Sequence, residues 1–346
     1  MMKAIAHRKS SDAQLGSSTD SRFSPSAFYF QPPKALWHLA VGVFLGWWLT
    51  SCTEPQVNSG AQTGDEDPQV VSTSTILTNL TEAIAGNEIQ LTGILEPGAD
   101  PHIYEPVPED SIAFEEADLI LYNGYNLEPE LIKLMNAAGV GAAKLAVGEQ
   151  VPSLEMEYVG ATEPDPHVWG DVENAIVMVN AIRDALIEIS PEDAEVFAEN
   201  AAQYKARLQQ LDRWIVERIA TIPPQNRLLV TTHDAFAYYS QAYGLETLGT
   251  LIGISTEEQP SAQTVTNLVE KIVQAQVPTI FAETTINPKL IATVAEEANV
   301  KLADRELYSD SIGSPGSEGD SYIKMMVSNT RTLVENLGGT YQPFEP

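Results

Sequence analysis

From residue 70 onward, short apolar runs alternate with stretches in which apolar residues recur every three or four positions. "VVSTSTI" (70–76) predicts a strand and "LTNLTEAIAG" (77–86) a helix. "EIQLTGIL" (88–95) and "DLILYNG" (118–124) predict further strands, and "EDSIAFEEA" (109–117) and "PELIKLMNAAG" (129–139) further helices. Strands this short and this apolar, alternating with helices, imply a parallel sheet covered on both faces. Two longer helices follow. The first covers 171–189. Ser190-Pro191-Glu192-Asp193 then reads as an N-cap, a proline at the first helical position and an acidic first turn. Behind it Phe197, Ala201, Tyr204, Leu208, Leu211, Ile215 and Ile219 mark one apolar face, and Pro223-Pro224 stop the helix near Ile222. Roughly 30 residues at about 1.5 Å each reach about 45 Å, more than the width of a small lobe. The alternation then restarts, with strands at 227–233, 245–251, 279–283 and 301–307 and helices at 235–244, 261–276, 287–299 and 321–339. The pattern predicts two α/β lobes with mainly parallel sheets, at 69–189 and 224–346, joined by one long helix over 190–223.

The first 68 residues fit neither lobe. Lys34 precedes a run that is apolar from Ala35 to Leu49 and ends in Leu49-Thr50-Ser51-Cys52. About 15 apolar residues suit the hydrophobic region of an export signal better than a membrane-spanning helix. Leu-Thr-Ser-Cys resembles the lipobox of bacterial lipoproteins, which implies cleavage before Cys52 and its lipidation. The competing reading is an uncleaved short anchor with an idle thiol. The 33 residues ahead of the apolar run are long for a signal's basic leader and fit a translation start downstream of Met1. Residues 1–51 are thus read as an export signal. Residues 52–68, polar and without periodicity, are read as the lipidated cysteine and a flexible tether. Cys52 is the only cysteine, so no internal disulfide forms.

Charge narrows the partners. Five of the 19 Lys/Arg and two of the 48 Asp/Glu fall within residues 1–52, so the remainder carries 14 basic against 46 acidic residues. Such a surface repels nucleic acid and anionic lipid headgroups and admits a cationic ligand, although solubility or salt tolerance alone accounts for much of it.

The leader also takes His7 and His38 with it, leaving three of five histidines. His102 and His167 each follow Asp-Pro, in "ADPHIYEP" and "PDPHVWGD". Proline stiffens such a loop, and the preceding aspartate is placed to accept the second ring N–H and fix the tautomer. His233 lies at the carboxyl end of a predicted strand, where ligand sites of open α/β sheets form. Asp310 holds the matching place on the last strand of the second lobe. Three imidazoles and a carboxylate suit a tetrahedral site for a divalent transition metal. Their spacings of 65, 66 and 77 residues are not by themselves a motif.

The stretches "GADPHIYEP", "DPHVWGDVENA", "TTHDAFAYYSQAYGL", "GISTEEQPSA", "IFAETTINPK" and "LYSDSIGSPGSEGDSYIKMM", in this order over about 70–340, resemble the metal-binding receptors of bacterial ABC importers for zinc and manganese, the cluster A-I solute-binding proteins. The resemblance implies two pseudo-symmetric lobes joined by a rigid helix and assigns metal binding to His102, His167, His233 and Asp310. It also implies Zn2+ or Mn2+ as transported ligand, a membrane permease and an ATPase as partners, and a lipid-anchored monomer on the periplasmic or extracellular face of the membrane. Histidine rather than glutamate at 233 is typical of the zinc receptors. Two departures stand out: Gly170 where a larger residue is usual, and no histidine in the acidic stretch between the first two ligands. A secreted zinc metalloenzyme is the rival reading, with Glu283 as its base, but the chain has neither H-E-x-x-H nor a nucleophile elbow. Glu283 fits better as a buried structural carboxylate. No feature of the sequence supports a surface adhesin.

Overall fold

A computed structural model describes residues 67–158 and 161–345. The export signal and Cys52 lie outside the described residues. The chain begins its folded part with β1 (Gln69–Ser72), α1 (Thr75–Ala85), β2 (Gln90–Gly93), α2 (Pro108–Glu116), β3 (Leu119–Tyr122), α3 (Pro129–Ala137) and β4 (Ala143–Ala146). The four strands form one parallel sheet in the order β2-β1-β3-β4. The first strand ends earlier than its apolar run predicts. Ser74 intervenes, its hydroxyl accepts the Leu77 N–H, and the helix starts at Thr75. A hairpin of β5 (Glu155–Tyr158) and β6 (Ala161–Pro164) then leads into the loop of His167.

Two antiparallel helices follow, α4 (Val172–Ile189), capped by the Asp171 carboxylate, and α5 (Ala194–Ile219). At the start of α5 the sequence reading needs correction. Pro191–Asp193 form a 3-10 turn, and the Ser190 hydroxyl donates to Asp193 (2.6 Å) instead of accepting a backbone N–H. The 26 residues of α5 span about 39 Å.

The second lobe repeats the first. It contains β7 (Leu228–Thr231), α6 (Ala237–Tyr243), β8 (Glu246–Thr250), α7 (Ala262–Ala275), β9 (Thr279–Ile280), α8 (Lys289–Ala298), β10 (Lys301–Leu302) and α9 (Tyr322–Asn336). β7 pairs in parallel with β8, and β9 with β10. The Phe281 N–H donates to the Val230 carbonyl (3.0 Å), which joins the pairs in the order β8-β7-β9-β10. That is the strand order of the first sheet, so the lobes are pseudo-symmetric.

The connecting helix is not a free strut. Phe197, Leu208, Leu211 and Ile215 of α5 are fully buried, in one core with Leu77 and Ile84 of α1, Val179 and Ile182 of α4, and Tyr322 and Leu333 of α9. Turning one lobe on the other has to shear this packed core, whose close fit resists continuous deformation. No helix among the described residues is long and apolar enough to cross a membrane.

Candidate metal centre

All four sequence-predicted residues lie in loops beyond the carboxyl ends of strands, and the fold brings them together. His102 follows β2, His167 follows the hairpin, His233 lies two residues past β7, and Asp310 lies in the loop between β10 and α9. One donor atom from each lies within 4.8 Å of the others. His102 Nε2 is 3.2 Å from His167 Nε2, His167 Nε2 is 3.4 Å from Asp310 Oδ1, and His233 Nε2 is 3.2 Å from Asp310 Oδ2. Bonds of about 2.0–2.1 Å to a tetrahedral zinc place neighbouring donors about 3.3 Å apart, so these spacings suit one ion. His167 and His233 are wholly buried, Asp310 is 1% exposed and His102 4%. His233 Nε2 and Asp310 Oδ1 have no hydrogen-bond partner among the described residues, although burial makes an unpaired polar atom costly. A divalent cation satisfies both.

The two Asp-Pro-His frames are used differently. Asp165 Oδ1 accepts both the His167 backbone N–H (2.9 Å) and its ring Nδ1–H (2.7 Å), which leaves Nε2 bare for a metal. Asp100 Oδ1 accepts the His102 N–H (2.9 Å) but does not reach the ring, and its Oδ2 accepts the Thr256 hydroxyl of the other lobe (2.6 Å). The expectation that each aspartate fixes its histidine's tautomer therefore holds for Asp165 and fails for Asp100. Glu283 stands behind His233 in the place that Asp165 takes behind His167, as a close charge contact. Its Oε1 accepts the N–H groups of Thr232 (2.8 Å) and His233 (2.9 Å), and its Oε2 lies 2.5 Å from His233 Nδ1.

Burial lowers the His102 pKa to about 3. Burial also opposes a charge on His167, but Asp165 and Asp310 overrule it and raise the pKa to about 9. His233 is likewise carried well above its usual value, against burial, by Asp310 and Glu283. Asp310 is held well below the carboxylate range by the His233 and His167 rings, although burial alone pushes it up. The pocket thus stabilises positive charge between the rings, and a cation arriving there displaces protons.

His102, whose ring no aspartate holds, also lines an adjoining cleft of about 400 Å³ with Tyr125, Asn126, Glu149, Glu163 and Ile254. The Trp169 ring stands edge-on to His167, centroids 5.5 Å apart. Gly170 fits tightly. A Cβ there meets the Tyr239 backbone nitrogen at 3.2 Å, so the small residue lets the turn after His167 rest against the first turn of α6. Sequence reasoning missed Thr256 and the indole of Trp169, neither of which belongs to a residue type that announces metal chemistry.

Comparisons with known proteins match most of the chain. A family model described as zinc-uptake complex component A, periplasmic, matches residues 70–336. The manganese-binding lipoprotein MntA of Halalkalibacterium halodurans is 34% identical over 281 residues, 81% of this chain and 92% of its own. The manganese ABC transporter substrate-binding lipoprotein PsaA of Streptococcus anginosus is 36% identical over 284 residues, 80% of this chain and 91% of its own. Among solved structures, the periplasmic zinc-binding protein TroA of Treponema pallidum superposes with a TM-score of 0.75 at 32% identity, covering 79% of this chain and 99% of that one.

Proposed function

The chain belongs to the zinc-uptake component A family of metal-binding receptors for ABC import, and on that premise we propose that it captures one divalent transition-metal ion through His102, His167, His233 and Asp310. It is a receptor and not an enzyme; its partners are the permease and ATPase of an ABC importer. Residues 69–189 and 224–346 are the two lobes and 190–223 the link. Cys52 carries lipid and tethers the chain, a monomer, outside the cytoplasmic membrane; the lipoprotein names of its relatives support the anchor. The observation that carries the reading is the spacing of the donors: three nitrogens and one carboxylate, drawn from both lobes, lie at distances suited to one tetrahedral ion. Four protein donors complete a closed shell, whereas a catalytic zinc keeps a position for water.

Zinc is the first choice of ion, because imidazole-rich four-coordinate sites suit it and the Irving–Williams order places it above manganese. Manganese is the second reading, and a specific arrangement favours it. Asp310 presents Oδ1 toward His167 and Oδ2 toward His233, so both oxygens are placed to bind and to raise the coordination number. The relatives MntA and PsaA carry manganese in their names. Competition titration of the metal-free protein with both ions tests intrinsic preference. Growth of a deletion strain under separate zinc and manganese limitation tests the transported ion, and a defect confined to manganese limitation overturns the choice of zinc.

A further inference from the structure

Asp310 is the only carboxylate in the proposed ligand set, and its own lobe holds it loosely. Apart from the proposed ligand His233, whose Nε2 lies 3.2 Å away, its Oδ2 has only long contacts there, to Thr285 Oγ1 (3.5 Å) and Ser309 Oγ (3.4 Å). The residues on either side of it are gripped by the other lobe. On one side, Trp169 Nε1–H donates to the Ser309 carbonyl (2.9 Å), and Trp169 lies two residues after His167. The Trp169 carbonyl in turn accepts the hydroxyl of Tyr322 (2.7 Å), which begins α9. On the other side, the Ser311 hydroxyl accepts the Gly98 N–H (2.7 Å) and shares a hydrogen bond with the Thr75 hydroxyl (3.0 Å). Thr75 Oγ1 also accepts the Ile312 N–H (3.1 Å). Gly98 belongs to the loop that delivers His102, and Thr75 opens α1. Trp169 and Ser311 are 4% and 0% exposed, so water does not readily replace either bond.

We infer that Trp169 and Ser311 are positioning residues: together they clamp the Asp310 segment to the first lobe and set the distance between its carboxylate and His167. The inference rests on the ligand set proposed above. Each ligand-bearing loop of the first lobe supplies one jaw, Gly98 from the His102 loop and Trp169 from the His167 loop. Release of the ion requires the Asp310 oxygens to withdraw from the rings, and they withdraw only when these bonds open. The clamp therefore governs how fast the site lets go, and by fixing where the carboxylate sits it sets the coordination number.

Trp169→Phe keeps an aromatic ring against His167 and removes the indole donor, and Ser311→Ala removes the acceptor of the Gly98 N–H. Each is expected to weaken zinc binding by about 10–100-fold, the usual effect of losing a partner that orients a ligand. The loss is expected in the rate at which a chelator strips the metal. Cobalt(II) adds a readout that a merely structural role does not move, since a four-coordinate cobalt absorbs much more strongly in the visible than a higher-coordinate one. Both variants are expected to show a band whose intensity differs from that of wild type at full loading. Wild-type stripping rates and band intensity in both variants overturn the inference, even if their metal-free melting temperatures fall. Ser311→Ala alone decides the matter if Trp169→Phe does not fold. Asp310→Ala, run in parallel, separates two failures. Tight binding kept there removes Asp310 from the ligand set and the clamp with it. Tight binding lost there but kept in the two variants overturns the clamp alone.

Discussion

Replacing Glu283 with glutamine changes one atom and tests whether a carboxylate behind a ligand sets its tautomer. Glu283 is fully buried, and its Oε1 accepts the N–H groups of Thr232 and His233. A glutamine oxygen can keep both bonds. Its NH2 then stands where Oε2 stands now, 2.5 Å from His233 Nδ1. Two N–H groups cannot face each other, so the histidine must shift its proton to Nε2, the nitrogen that faces Asp310. The lone pair needed by the metal is then occupied. Recovering it costs a tautomer change that strands the amide, and the loss is placed at 10–100-fold in affinity, about 1.4–2.8 kcal/mol. Competition of metal-free protein against a chromophoric chelator near neutral pH measures it. Wild-type zinc affinity in Glu283→Gln, with the fold intact, refutes the assignment of Nε2 as the donor atom.

Glu128 gives a pH test away from the metal. It is fully buried, accepts the Asn123 N–H and the Thr73 hydroxyl, and burial lifts its pKa from 4.5 to about 7. A carboxyl whose folded pKa is raised binds its proton more tightly when folded. Its contribution is complete below pH 4.5 and is lost as the pH rises through 7. Glu128→Gln, which stays neutral, is expected to gain on wild type by up to ~3 kcal/mol across that window in denaturant unfolding of the metal-free protein, and a constant difference contradicts the reasoning. Cys52→Ser is expected to release the protein from the membrane fraction or to block its processing; an intact mass of membrane-purified protein that does not begin at Cys52 rules the anchor out.

Much of the architecture was legible because the burial pattern follows elementary periods. α5 buries all seven residues spaced by three and four along 197–219, and Arg218 with them. β4 escaped because Ala-Lys-Leu-Ala has no β-branched residue and is only partly shielded at an edge of the sheet. The β5–β6 hairpin escaped because its acidic stretch reads as a loop. In the second lobe β9 and β10 are two residues each, where the apolar runs suggested five and seven, and the pairing continues only by the isolated bridge of Glu283 to Leu307. Of the site, the histidines stood out by scarcity and by their repeated frame. Asp310, one acid among many, was marked only by its place after the last strand of the second lobe, and the resemblance added the metal role. Asp100 and Asp165 share a motif but not a role. What separates them is whether the ring or a residue of the other lobe lies within reach, a fact of tertiary distance that no local pattern encodes.

The most direct test is to locate the ion. Crystals of the protein loaded with zinc, and separately with manganese, measured at the absorption edge of each metal, are expected to show one strong anomalous peak. It should lie about 2.0–2.2 Å from Nε2 of His102, His167 and His233 and from a carboxylate oxygen of Asp310. A fully occupied peak elsewhere, with these four side chains free of metal, contradicts the account.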